Sequence, residues 1–377
     1  MIKKLFFINN VDWGFTEFRL PIAQRAIAEG VEVHLITELT GKYKSEELLK
    51  DSGIIVHDVN FKRGSSNPLH LLTLFFKVFF ILKKHTPEIV HLITIKSVLI
   101  GGLAARLAKI NALVFAISGL GYAYIEQGIP AKIRKALISF LYKIVFNSQN
   151  ILVIFQNKDD KEEIISKNKN LPHLIIPGSG VDLLKFKFVE EVVTQIPRIT
   201  MISRLLVHKG VLEFVEAARL IKEQNIKAQF ELIGDLDSDN PASLTLDQCK
   251  EIEESGNVVL KGYIKDVALE LENTNLVVLP SYREGFPKAL IEASACGRAI
   301  VTTDVPGCRE AVEHKKNGLL VPKENPYELA KAVRYLIENK NERREMGLKS
   351  RIIAEDKYSI NQVVDTHMKI YEEINRK

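Results

Sequence analysis

The stretch Ser281-Tyr-Arg-Glu-Gly-Phe-Pro-Lys-Ala-Leu-Ile-Glu292 decides how this chain is read. The apolar run Leu276–Leu279 before it ends at Pro280 and predicts a strand. A polar loop, Arg283-Glu284-Gly285-Phe286-Pro287, follows, and Pro287 is expected in the first turn of a helix, where proline forfeits no hydrogen bond. A strand–loop–helix unit of this kind aims free backbone N–H groups beyond the strand's C-terminal end, a ready phosphate site. Glu284 stands at the helix mouth, and Glu292 is expected about two turns inside. One carboxylate over a diphosphate and one beside it can grip hydroxyls on either side. A sugar nucleotide has that layout: sugar, diphosphate, ribose, base.

Outward from this stretch, short runs of Val, Ile, Leu and Phe alternate with amphipathic helical segments. In the first half the expected strands are Leu5–Asn9, Val31–Ile36, Ile54–Val59, Ile89–Leu92, Leu113–Ile117 and Ile151–Phe155. In the second half they are Ile196–Ser203, Phe230–Gly234, Val258–Tyr263, Leu276–Leu279 and Ala299–Thr302. The alternation predicts α/β architecture with parallel, doubly wound sheets, which bind ligands beyond the C-terminal ends of their strands. A length of 377 residues suits two domains. The boundary is expected near residue 190, giving domains over 1–190 and 191–355 and a final helical segment over 356–377.

Three cysteines, Cys249, Cys296 and Cys308, have neither even number nor metal-ligand spacing. They read as reduced thiols of a cytoplasmic protein. No signal peptide and no spanning apolar run is evident. The net charge of +5 is unevenly placed: residues 61–150 hold twelve Lys and Arg against two acids, Glu88 and Glu126. Such a bias suits nucleic acid or an anionic membrane surface. The interleaved residues are Leu, Phe and Ile at helical spacing, which favours membrane over nucleic acid. Leu69–His85, with Lys77, Lys83 and Lys84, and Ala131–Asn147, with Lys132, Arg134, Lys135 and Lys143, carry the pattern. Basic amphipathic helices can lie in a bilayer interface, although helices buried against the sheet would read similarly.

After the first strand comes a loop in which Gly14 permits close approach to a ligand and Trp13, Phe15, Phe18 and Arg19 crowd together. Its aromatics suit a sugar or lipid-linked acceptor, and an Arg on the buried side needs an anionic partner. Ser118 and Gly119 open a glycine loop after the fifth strand, a weak phosphate or sugar signal. Phe15, Arg19, Ser118 and Gly119 are the candidate acceptor contacts. His91 either faces the cleft or is a satisfied core residue.

The central stretch resembles the Glu-x7-Glu signature of the retaining glycosyltransferases of family four, which have the GT-B fold: two Rossmann-like domains with a cleft between them. The resemblance covers essentially the whole chain and is strongest from residue 200 to 322. It implies that Glu284 holds the donor sugar and Glu292 the ribose. Arg204 and Lys209, in Ser203-Arg-Leu-Leu-Val-His-Lys-Gly210, match the family's clamp on the donor diphosphate. Gly262, Tyr263 and Ile264 match the turn along the nucleobase. Gly14, Gly285, Phe286, Pro287, Lys288, Ala289 and Leu290 complete the implied donor site. Catalysis falls to Glu284, Arg204 and Lys209. No cofactor or metal is implied, the nucleotide sugar being a co-substrate.

The Phe18-Arg-Leu-Pro-Ile22 segment, the Arg63–Pro68 turn, the Gly119-Leu-Gly-Tyr122 loop and Ile125-Glu-Gln-Gly128 resemble a subgroup that extends undecaprenyl-diphosphate-linked sugars in bacterial surface polysaccharide and glycan assembly. One member adds N-acetylgalactosamine to lipid-linked diacetylbacillosamine. The resemblance implies transfer of a hexose or N-acetylhexosamine from a UDP-sugar to a lipid-linked saccharide, by an enzyme peripheral to the cytoplasmic face of the inner membrane. Many family members have a Gly-Gly pair in the first loop, where this chain has Trp13-Gly14. Many have a His after the fifth strand, where it has Ser118. Two other readings stay open: a nucleotide-sugar enzyme such as a 2-epimerase or a transferase with a soluble acceptor, and a non-catalytic membrane scaffold.

Overall fold

The computed structural model describes all residues except 1, 63, 65, 66, 122, 123, 125–127, 148, 149, 169, 193 and 377. The Arg63 turn, Tyr122 and the Ile125-Glu-Gln segment therefore lie outside the described residues. Among the described residues thirteen strands occur in chain order: β1 (Lys4–Ile8), β2 (Glu32–Thr37), β3 (Ile55–Asp58), β4 (Ile89–Ile93), β5 (Ala112–Ile117), β6 (Ile151–Phe155), β7 (His173–Ile175), β8 (Arg198–Ile202), β9 (Gln229–Ile233), β10 (Val259–Gly262), β11 (Leu276–Leu279), β12 (Ala299–Thr303) and β13 (Gly318–Val321). Their near-continuous apolar content follows from burial on both sheet faces. Leu5, Phe6, Phe7 and Ile8 of β1 are buried without alternation, as are all four residues of β11.

The chain forms two compact units. The first comprises residues 1–179 and 361–377, and its seven parallel strands run in the order β3-β2-β1-β4-β5-β6-β7. The second comprises residues 180–360, with the order β10-β9-β8-β11-β12-β13. Each order reverses once, between β1 and β4 and between β8 and β11. Loops on either side of such a reversal diverge to opposite faces and leave a crevice at the strands' C-terminal ends.

The division falls at Ser179/Gly180, earlier than the expected residue 190. Val181 bridges to Ser359, and Val181 and Phe186 are buried in the core of the second unit, so residues 180–190 fold with it. The last helix, Ile360–Asn375, packs on the first unit: Tyr371 meets His91 of β4, and the Asn150 side-chain amide donates to the Ile374 carbonyl.

In the first unit the helices Pro68–His85 and Ile129–Phe146 both pack against the helix Gly102–Leu107. Pro68 opens the first of them behind Asn67, whose side chain accepts from the Leu69 amide. Each helix buries only part of its apolar surface. Leu69, Leu72, Phe76 and Phe80 stay exposed on one, and Ile129, Ile133, Leu137 and Phe140 on the other.

The segment after β1 is not a loop. Residues Asp12–Phe18 and Leu20–Ala28 form two helices that meet at Arg19. The Asp12 carboxylate braces the first by accepting from the Trp13 amide, the Thr40 amide and hydroxyl, and the Ser45 hydroxyl. Gly14 is helical, and an added Cβ there would lie 3.1 Å from a Val11 methyl, so its glycine reflects helix packing.

Candidate functional site

In the second unit the loops after β8 and β11 flank the reversal point, and two glycines hold them together. Gly210 has φ +80°, and a Cβ on it would sit 2.1 Å from the Pro280 carbonyl oxygen. Gly307 has φ +79°, and its Cβ would lie 2.7 Å from the carbonyl oxygens of both Glu284 and Gly285. Only glycine combines that backbone conformation with that approach. The Tyr282 amide donates to the His208 carbonyl, and the Glu284 amide to the Pro306 carbonyl. Backbone contacts thus place Glu284 between the β8 loop and the turn after β12.

The side chains converge as the backbone does. Lys209 Nζ donates to Glu284 Oε1 at 2.5 Å, and Ser281 Oγ donates to the same oxygen at 2.6 Å. Arg204 Nη1 pairs with Asp237, which follows β9. Tyr282 donates its hydroxyl hydrogen to Glu213 at 2.6 Å. His208 stands among Lys209, Glu284 and Arg204; burial and then the Lys209 charge push its pKa down to about 4, so its imidazole is neutral at physiological pH. The arrangement presents two cations, a fixed carboxylate and a neutral imidazole at the C-terminal edge of one sheet.

The helix of the central stretch runs Lys288–Ala295, with Pro287 as its N-cap and not in its first turn. Pro287 has ψ 118°, an extended value that keeps it outside the helix. Glu292 is accordingly little more than one turn inside, not two. It is buried, and Lys288 Nζ lies 3.5 Å from its Oε1. The first turn of this helix begins at Lys288, separated from Gly285 by Phe286 and Pro287. Gly285, Lys288 and Ala289 are half-buried, while Leu290 is in the core.

Not every expected contact is available as a side chain. Phe286 packs edge-on against Tyr358 at 5.5 Å, so its ring serves the core and only its backbone faces the loop. Phe15 is fully buried against Phe7 at 5.1 Å, which corrects its expected place among the acceptor contacts. Gly262 closes β10, and its carbonyl accepts from the Gly234 amide; Tyr263 beside it is exposed and Ile264 half-buried. Arg19, Ser118, Gly119 and Gly14 belong to the first unit. There Arg19 is buried and donates from Nη2 to Ser118 Oγ at 3.3 Å.

Sequence reading missed Ser281, Asp237 and Glu213 as partners of the site. Ser281 stands three residues before Glu284, a spacing that lets its hydroxyl reach back across the loop. Asp237 and Glu213 have no local signal, because only the pairing of β8 with β9 and the packing of the β8 loop on β11 bring them in.

Two family models cover most of the chain: "Glycosyl transferase 4-like" matches residues 4–157 and "Glycosyl transferases group 1" residues 184–352. The chain is 32% identical, over 98% of both proteins, to a Campylobacter jejuni N,N'-diacetylbacillosaminyl-diphospho-undecaprenol alpha-1,3-N-acetylgalactosaminyltransferase. It is 25% identical to the Staphylococcus aureus capsular polysaccharide biosynthesis glycosyltransferase CapM, over 88% of this chain and 87% of that one. Among solved structures, Anabaena HepE in complex with UDP-glucose superposes with a TM-score of 0.77 at 18% identity, covering 99% of this chain and all of the other. Each unit has the Rossmann-like parallel sheet of the GT-B fold, and with these matches the chain is a glycosyltransferase of group 1, the family-four type.

Proposed function

We propose that this enzyme is a retaining transferase that moves a hexose or N-acetylhexosamine from a UDP-sugar to a saccharide carried on undecaprenyl diphosphate. The observation that carries this reading is the cluster of Lys209, Glu284 and Ser281 beside the helix mouth at Gly285. Its parts match the chemistry required. Arg204 and Lys209 meet the charge that grows on a departing nucleoside diphosphate, aided by the backbone amides of Lys288 and Ala289 at the helix start. Glu284 grips donor-sugar hydroxyls, and Glu292 grips the ribose. The backbone of Gly262–Ile264 lies along the base. On donor binding Lys209 exchanges part of its contact with Glu284 for a phosphate oxygen, which frees a Glu284 lone pair for a sugar hydroxyl. The acceptor class is supported by full-length similarity to a transferase whose name specifies a diphospho-undecaprenol substrate.

The membrane reading is supported by the two half-exposed helices of the first unit. Lys132, Lys135, Lys143 and Lys167 line a shallow hollow around Phe140 and Ser139 on the second of them. A cationic hollow flanked by exposed Ile133 and Leu137 complements an anionic lipid surface, with the phosphates meeting lysines and the apolar side chains entering the interface. Among the described residues no helix is long and apolar enough to cross a membrane.

Glu284→Ala tests the catalytic assignment. Transfer from a UDP-sugar to a prenyl-diphosphate-linked saccharide should fall by about a hundred- to a thousandfold, the size of a lost electrostatic contact at a reacting centre. The fold should stay intact, since Glu284 is a half-buried loop residue. Near-normal turnover in this variant refutes the reading.

A further inference from the structure

A second polar site lies at the reversal point of the first unit. Arg19 follows β1, and His91 is on β4, the strand paired with β1 where the order reverses. Arg19 is 4% exposed. Its Nη1 donates to the Phe18 carbonyl at 2.9 Å and its Nη2 to Ser118 Oγ at 3.3 Å, while its Nε–H has no acceptor. Among the described residues no carboxylate pairs with it. Burial lowers its pKa only to about 10, so it stays cationic at neutral pH.

The groups around this cation supply no negative charge. His91 Nδ1 and the Tyr371 hydroxyl are 2.6 Å apart, and His367 Nδ1 lies 2.7 Å from the Val363 carbonyl. The His91 and His367 rings stack at 5.6 Å. Burial is the leading cause that pushes both histidines down, and the Arg19 charge adds to it, taking His367 to about 3, so both are neutral. His91 Nε2 is buried without a partner; in the tautomer that accepts the Tyr371 hydroxyl hydrogen at Nδ1, Nε2 carries the ring proton. Arg19 Nε–H and, in that tautomer, His91 Nε2–H are buried donors without acceptors, and Ser118 has a hydroxyl hydrogen to give. A buried, uncompensated guanidinium is costly, and an anion removes that cost. The crevice of a doubly wound sheet is also where ligands enter, and Ser118 and Gly119 remain half-buried at its edge.

We propose that Arg19, Ser118 and His91 form an anion subsite in the first unit that takes one phosphate group, with Tyr371 of the last helix holding the His91 tautomer that donates. The proposal rests on the glycosyltransferase reading only for the source of the phosphate. The same chemistry is offered by the diphosphate of a prenyl-linked acceptor and by free inorganic phosphate or diphosphate.

The test uses the full chain saturated with UDP, so that the Arg204 and Lys209 site is filled, and follows melting temperature against inorganic diphosphate and, separately, a short prenyl-diphosphate saccharide. Wild type should gain several degrees. Arg19→Met should melt at or above wild type without anion, because it removes an uncompensated charge, and should show no anion shift. Ser118→Ala, which leaves the core untouched, should keep the wild-type melting point and weaken the anion midpoint about tenfold. A response to the prenyl compound alone identifies the acceptor as the source; equal response to inorganic diphosphate identifies a free-ion site. The subsite is overturned if the anion shift survives unchanged in both Arg19→Met and Ser118→Ala, or if wild type shows none. Stabilisation by UDP is read in the same samples. Its absence would count against the donor reading, and the anion arm is then read without UDP.

Discussion

At the scale of single residues, the site depends on side chains that orient one carboxylate. Glu284 Oε1 takes hydrogen bonds from Lys209 and from Ser281, and Ser281 is fully buried, so its hydroxyl has no competing water. A hydrogen bond to a charged group contributes about 1.5–3 kcal/mol. Ser281→Ala should therefore lower kcat roughly ten- to a hundredfold while leaving the donor KM within about twofold, because Lys209 still holds the carboxylate in the ground state. Steady-state kinetics across donor concentrations checks this. An equal rise in KM with unchanged kcat would place Ser281 in donor binding instead. Glu284 and Glu292 stood out by their spacing, and Arg204 and Lys209 by resemblance to the family's strand–Arg–loop–Lys-Gly element; of these the structure brings Lys209 onto Glu284 and pairs Arg204 with Asp237. Ser281 and Asp237 did not stand out, because a serine or aspartate near a strand end is too common to carry a signal until its partner's position is known.

At the scale of elements, the helices Pro68–His85 and Ile129–Phe146 carry more apolar residues than the sheet covers. Their inner faces, including Leu74, Val78 and Leu82 on one and Tyr142, Val145 and Phe146 on the other, account for core packing. The outer Ile133 and Phe140 are 65% and 60% exposed, so no folded-state contact explains them. Replacing both with Asp should leave the melting temperature within about two degrees and abolish co-flotation with vesicles containing anionic phospholipid. Retained flotation would move the membrane contact elsewhere. The sequence pattern showed both helices but could not divide inner from outer face, since nearly every turn is apolar. The reverse error occurred after β1. Residues 9–21 read as a loop because Gly14 and Pro21 punctuate them, whereas the buried Asp12 carboxylate braces the first of two short helices there through contacts from residues 40 and 45.

For the whole molecule, neutral histidines that are half-buried (His57, His208) or buried (His367) tie stability to pH. Burial is the leading cause of depression for His57 and His208, each pushed to about 4, and for His367, pushed to about 3. Unfolded histidines titrate near 6.5. Between about pH 6.5 and 4 the unfolded chain thus binds more protons than the folded one, and stability must fall as pH falls through that window. Carboxylates held low by cations, such as Glu313 beside Lys316, add further loss below it. Melting temperature should be nearly flat from pH 7 to 8 and fall steadily from about 6.5 to 4. A flat profile over that interval would contradict the burial of these rings. The α/β class, both parallel sheets, the strand–loop–helix unit around Ser281–Glu292 and the family were determined by the sequence itself, because strand hydrophobicity and the Glu284-to-Glu292 spacing are local properties of the chain. Tertiary structure alone decided the unit boundary at Ser179/Gly180, the core positions of Phe15 and Phe286, and the meeting of Arg19 with His91, His367 and Tyr371. Those depend on which surfaces bury one another across hundreds of residues, and no local pattern of side chains encodes that.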